Sequence, residues 1–192
     1  MSTSLSAGSQ TAQWHELVID AETAAGTQLG ESLESYLVFL LMRFTNRPDM
    51  ASSILALEFL HGAHQHGQAR QDIMRDVGDK CLLFSGLFPQ RAQRRRVKIS
   101  YFVDLGRSAY QTLASEQRAS LSEMFTQLAH GFVTMMDVLQ AMRAMNTEMP
   151  LLDPIDAYEL WQDTGSQQAR KSLSQATNID PVVMDTTSHS KQ

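Results

Sequence analysis

The amino-acid sequence predicts an all-α fold: a single-domain helical bundle of about seven to eight helices with one long methionine-rich helix near residues 116–146. Three observations lead there. Between residues 12 and 175 nearly every segment repeats its apolar residues at three-to-four spacing, the period of an amphipathic helix. No Asn-Gly or Asp-Gly turn joins two alternating runs, the strongest short-range sign of a β-hairpin. A hydrophobic fraction of 43% against 19% charged residues is ordinary globular composition, and 192 residues are enough to bury about two thirds of the unfolded surface. Residues 1–11 and 176–192 are polar, cannot recover their ordering entropy by burial, and are expected as flexible tails flanking a domain over 12–175.

The first helix is expected over Gln13 to Ala25, ending near Gly26. In the second, Leu33, Tyr36, Leu37, Leu40, Leu41 and Phe44 form one stripe, and Val38, Phe39 and Met42 make the other side apolar too, the pattern of a central helix. Pro48 opens a third, whose stripe Met50, Ile54 and Leu57 runs on through His61 and His64 to a stop at Gly67. A fourth covers about Ala69 to Ser85, with Ile73, Val77, Cys81 and Phe84 on one face. The fifth, Ile99 to Ala114, carries Gly106 on its apolar stripe, which predicts a close helix crossing there.

The long sixth helix sets Leu121, Phe125, Leu128, Phe132, Met135, Leu139 and Met142 at alternating intervals of 4 and 3, a heptad seam. Met124, Gly131, Val138 and Met145 take the flanking g positions, which widens the seam beyond that of a two-stranded coiled coil. Six of the chain's 11 methionines lie between Met124 and Met149. Such residues form adaptable grooves as well as plain core. The opposite side, including Gln127, His130, Thr134 and Asp137, is polar yet thinly charged and is the expected partner interface. Asp153 and Pro154 then open a short helix with Ile155, Tyr158 and Trp161, and Ser166 is placed to cap a final one.

A net charge of −5 argues against general nucleic-acid binding, which needs a domain-scale excess of Lys and Arg. Cys81 is the only cysteine, which excludes an intrachain disulfide, fits a cytoplasmic location, and leaves an inert buried thiol as the expected state. The longest apolar run, Tyr36 to Met42, falls far short of the roughly 20 residues of a membrane span. No secretory signal is read at the N-terminus.

Three clusters carry candidate chemistry. Glu58 and His61, three apart on a helix, with His64 and His66 nearby, form half of a metal-binding pattern, but the second half is absent and histidines near a helix C-terminus are commonly structural. Asp72, Asp76 and Asp79 share one side of the fourth helix; they suit Mg²⁺-diphosphate binding, yet Arg75 and Lys80 offer them ordinary surface ion pairs. Arg91, Arg94, Arg95, Arg96 and Lys98 concentrate positive charge in an acidic chain, able to hold a phosphate or an acidic partner, or simply to be solvated. No nucleophile-elbow, Walker or dinucleotide motif occurs, and no cofactor is expected.

The stretch from Val77 to Pro89 (VGDKCLLFSGLFP) with Tyr101 to Tyr110 (YFVDLGRSAY) resembles a family of uncharacterised bacterial all-helical proteins. The resemblance implies a bacterial source and no catalytic activity. The expectation for function is therefore a non-enzymatic, cytosolic helical protein that acts through a protein partner or its own copies. The alternative is a bundle that binds a metal or phosphate ligand through Glu58, His61 and His64 or through the Arg91–Lys98 cluster.

Overall fold

A computed structural model describes residues 2–46, 55–90, 97–147 and 150–177, without side chains for 2–7 and 55–57. Among the described residues the chain forms nine helices and no strand: α1 (Ser2–Ala25), α2 (Glu31–Asn46), α3 (Leu55–Ala63), α4 (Gly67–Leu87), α5 (Ile99–Glu116), α6 (Ala119–His130), α7 (Phe132–Ala144), α8 (Pro154–Thr164) and α9 (Gln167–Thr177). No helix among them is long and apolar enough to cross a membrane. The backbone of α1 is helical from Ser2, well before the expected start at Gln13; the Ser/Thr/Ala/Gln-rich segment extends a helix already nucleated downstream. The start of the third helix at Pro48 lies outside the described residues, as does the C-terminal stretch from residue 178.

The centre of the molecule is not α2 but α4 and α7. From Val77 to Gly86 every residue of α4 except Lys80 is buried, and α4 packs against α3, α5 and α7. Helix α2 buries Leu37, Val38, Leu40 and Leu41 but leaves Phe39 62% exposed. Its all-round apolarity is thus a buried stripe plus an uncovered phenylalanine. Gly106 does mark a close crossing: a Cβ there would lie 2.5 Å from Cε2 of Phe132 and 2.8 Å from Cβ of Cys81.

The expected single long helix over 116–146 is two helices. It is interrupted at Gly131 (φ −82°, ψ 4°), where Cδ1 of Leu33 stands 2.5 Å from where a Cβ would be. Gly131 N still donates to Gln127 O (2.8 Å) and Met135 N to Gly131 O (2.9 Å). The apolar spacing therefore runs through the break unchanged, which is why periodicity alone concealed it. On one side α6 packs against α5; on the other α7 packs against α1, α4 and α9.

The last two helices form a hairpin, with α8 capped at both ends and α9 capped at its start. The Asp153 side chain accepts from the N–H groups of Ile155 (3.0 Å) and Asp156 (2.9 Å), Pro154 occupies the first turn, and Gly165 closes α8 in the left-handed conformation (φ 75°). Ser166 caps α9 as expected, its Oγ accepting from Ala169 N at 3.0 Å.

Candidate functional site

Helix α4 brings one carboxylate into the apolar core. Asp79 is completely buried, and its oxygens are taken up from two other helices. Tyr36 of α2 donates its hydroxyl to Oδ1 at 2.6 Å and Tyr110 of α5 donates to the same oxygen at 2.7 Å, while Arg43 of α2 donates from Nη2 to Oδ2. The two phenol rings meet edge to face, 6.3 Å between centroids. Burial pushes the Asp79 carboxyl up from its ordinary value, opposed by the Arg43 charge and by the three donors. Burial and the Asp79 charge likewise push both tyrosines up. The arrangement clasps α2, α4 and α5 together.

The three aspartates of α4 do not converge. Asp79 points inward, away from the surface pairing expected for it. Asp72 takes Gln68 Nε2 at 3.0 Å and lies 3.5 Å from Arg75, and Asp76 lies 4.0 Å from Arg43. Lys80 pairs not with Asp76 but with Glu58 of α3, at 2.7 Å. Glu58, His61, Ile73, Asp76 and Lys80 line a cleft of about 440 Å³. His61 and His64 are exposed, and the ring Nε2 of His61 is 3.5 Å from Gln65 Nε2. Among the described residues no three His, Cys, Asp or Glu side chains gather to hold a metal. Cys81 is buried, and burial with the nearby Glu58 and Asp79 charges pushes its thiol up.

Of the basic cluster, Arg91, Arg94, Arg95 and Arg96 lie outside the described residues. Lys98 is the N-cap residue of α5, and its Nζ lies 3.3 Å from Glu159 and 3.8 Å from Asp163, both on α8. Ser100 adds a hydrogen bond to Asp163 at 2.8 Å. The first turn of α5 is thereby tied to one side of α8.

The expected interface on the long helix is divided by Gly131. Gln127 and His130 are exposed on α6, Thr134 is half-buried, and Asp137 is buried. Asp137 accepts from Ser166 Oγ and from Gln167 N (2.8 Å), so it holds the start of α9 rather than facing a partner. Its burial pushes the carboxyl up to about 6, against those hydrogen bonds.

An exposed apolar ridge lies elsewhere, on α8. Ile155 is 74% and Tyr158 39% exposed, one turn apart, while Ala157, Leu160 and Trp161 of the same helix turn inward. Tyr101, 44% exposed, sits in the turn of α5 that Lys98 and Ser100 tie to α8. The sequence shows Ile155, Tyr158 and Trp161 as one stripe. The signal that separates them is the second, tighter set of Ala157, Leu160 and Trp161, offset from Ile155 and Tyr158 around the helix.

Compared with models of protein families, with curated proteins and with solved structures, the chain matches none.

Proposed function

We propose that the chain is a non-enzymatic helical module that binds a protein partner, and that the partner docks on the ridge of Ile155 and Tyr158. The single observation that carries this reading is the exposure of Ile155, 74%, on a helix rigidified by caps at both ends. A rigid element presenting an aliphatic and an aromatic side chain is the kind of anchor that dominates binding energy. Around the ridge the charge is negative: Asp153, Asp156, Glu159 and Asp163 belong to α8 or its cap, and neither Lys nor Arg occurs in the helix. Lys98 pairs with Glu159 and Asp163 of this set. The matching partner is an apolar segment flanked by basic residues. A second copy of this chain, carrying a net −5, would bring the same acidic face to the contact.

The test is a photo-crosslinking amino acid placed at Ile155 in the full chain in cells, with Gln111, an exposed residue of α5, as the control position. The expected product is a crosslink from position 155, absent at 111, to a segment rich in Lys or Arg, and lost when Asp156 and Glu159 are changed to Lys. Equal crosslinking at both positions, or a strict monomer with no product at 155, would sink the reading.

A further inference from the structure

The last described helix, α9, is held to the bundle with little apolar contact. Among its described side chains only Ala169 and Leu173 are both apolar and buried. Where it faces α7, Gln168, Ser172 and Gln175 stand across a cleft from Gln140 and Ala144. This docking buries two polar groups at a cost. Gln168 is 8% exposed, and its Oε1 has no hydrogen-bond partner. Asp137 of α7 is 5% exposed and is met by the Ser166 hydroxyl and by the N–H groups of Gln167 and Gln168, with no cation. Burial is the one influence that raises its carboxyl. None of the charged residues on the helices around it contributes, whether Glu22 of α1, Asp79 of α4, Arg107 of α5 or Arg170 and Lys171 of α9.

We propose that α9 is a releasable strap: it stays folded on α7 and α8 while Asp137 carries a proton and unfolds locally when that carboxyl ionises. Three features of the contact favour release. Letting α9 go exposes few apolar groups, so the hydrophobic penalty is small. It returns Gln168 Oε1 to water, and a buried acceptor without a donor is a standing cost of the docked state. It also hydrates a carboxylate that has only neutral donors when docked. The proton decides the balance. Neutral, the Asp137 carboxyl still accepts from Ser166 and Gln167; ionised, it is a buried charge without a counter-ion. Docking raises the carboxyl from 3.8 to about 6, and release returns it to the ordinary value. The strap is therefore held most firmly below the ordinary value and loosens as pH rises through about 6. The remaining side-chain tie, Lys171 Nζ to Ala24 O at 2.8 Å, is exposed. A helix of 11 residues is marginal without its docking contacts, so release and unfolding of α9 coincide.

The strap needs no partner on the α8 ridge, so it stands or falls independently of that reading. Amide hydrogen exchange of the full chain at pH 4.5 and pH 7.5, corrected for the intrinsic pH dependence of exchange, tests it. Protection in α9 is expected to fall about 25-fold between the two conditions. At both it should lie at least tenfold below that of α4 and stay unchanged in urea well under the unfolding midpoint, the mark of a local opening. Asp137→Asn keeps an acceptor for Ser166 and Gln167 and has no proton to lose. In that variant the protection of α9 should be the same at both pH values. The pH and urea measurements use the unsubstituted chain, so the test survives if the variant does not fold. The proposal is overturned if α9 exchanges only with the protection and urea dependence of α4. It is also overturned if protection in α9 does not fall between pH 4.5 and pH 7.5, or if the fall persists in Asp137→Asn.

Discussion

Asp79 and Asp137 are both buried carboxylates on central helices, and they are held in opposite ways. Asp79 is met by a guanidinium and two phenols from other helices. Asp137 has no cation among its partners; a serine hydroxyl and the free N–H groups at the start of α9 meet it instead. One centre relies on charge neutralisation, the other on the partial positive charge of a helix N-terminus. The difference teaches where each is vulnerable. Removing the cation leaves Asp79 with an uncompensated charge, whereas Asp137 is vulnerable to losing its proton as pH rises through about 6.

The largest effect is expected from Arg43→Met, which strips Asp79 of its charge partner. Breaking a buried ion pair costs about 3–5 kcal/mol, and with Arg43 itself a third exposed the lower part of that range applies. Urea unfolding at pH 7 measures it. Adding Asp79→Asn should restore most of the loss, because the neutral amide oxygen still accepts from Tyr36 and Tyr110 and no longer needs a cation. If the double variant is as unstable as the single one, the guanidinium acts by packing and the contrast between the two aspartates disappears.

The Asp137 side of the comparison is a matter of pH. Its folded value of about 6 lies above the ordinary carboxyl value of 3.8, so the folded protein holds this proton more tightly than the unfolded chain. The stability it contributes is full below the unfolded value and is lost as pH rises through about 6. Relative to Asp137→Asn, the wild-type chain should therefore lose at most about 3 kcal/mol between pH 4 and pH 7, most of it below the upper end of that window. Parallel unfolding curves for the two proteins across this range, separated by a constant amount, would show that the helix terminus holds the carboxylate at its ordinary value.

Much of this architecture was legible because it rests on local periodicity and capping. The apolar stripes of α4 and α5, the close approach at Gly106 and the caps at Asp153 and Ser166 all follow from neighbours in the chain. What escaped was set by neighbours in space. Gly131 breaks the long helix where Leu33, nearly a hundred residues earlier, packs against it, and the heptad spacing on both sides is undisturbed. Asp79 looked like one of three surface aspartates because its partners Tyr36, Arg43 and Tyr110 are distant in sequence. A signal was available: from Val77 to Phe84 Asp79 and Lys80 are the only charged residues in an otherwise apolar run, and only one of the two had a carboxylate to bury. For the candidate sites, Lys98 was legible as the basic residue just before α5, but its pairing with Glu159 and Asp163 depends on how α8 docks. Ile155 became an exposed ridge for the same reason.

Ser166→Ala gives the smallest effect and the sharpest test of how the Asp137 centre works. Ser166 Oγ accepts from Ala169 N and donates to Asp137, so it joins the N-cap of α9 to α7. Losing an N-cap hydroxyl costs about 1 kcal/mol. The same change also removes one donor from a buried carboxylate, which raises the Asp137 value further and moves the pH dependence to higher pH. Because α9 packs chiefly against α8 and only lightly against α7, the loss should open the hairpin locally before the core unfolds. Amide exchange in α9 is expected to accelerate several-fold while the amides of α4 around Asp79 keep their protection. Equal acceleration in both helices would mean that the two carboxylate centres belong to one cooperative unit, and that the hairpin is no more easily detached than the clasp of α2, α4 and α5.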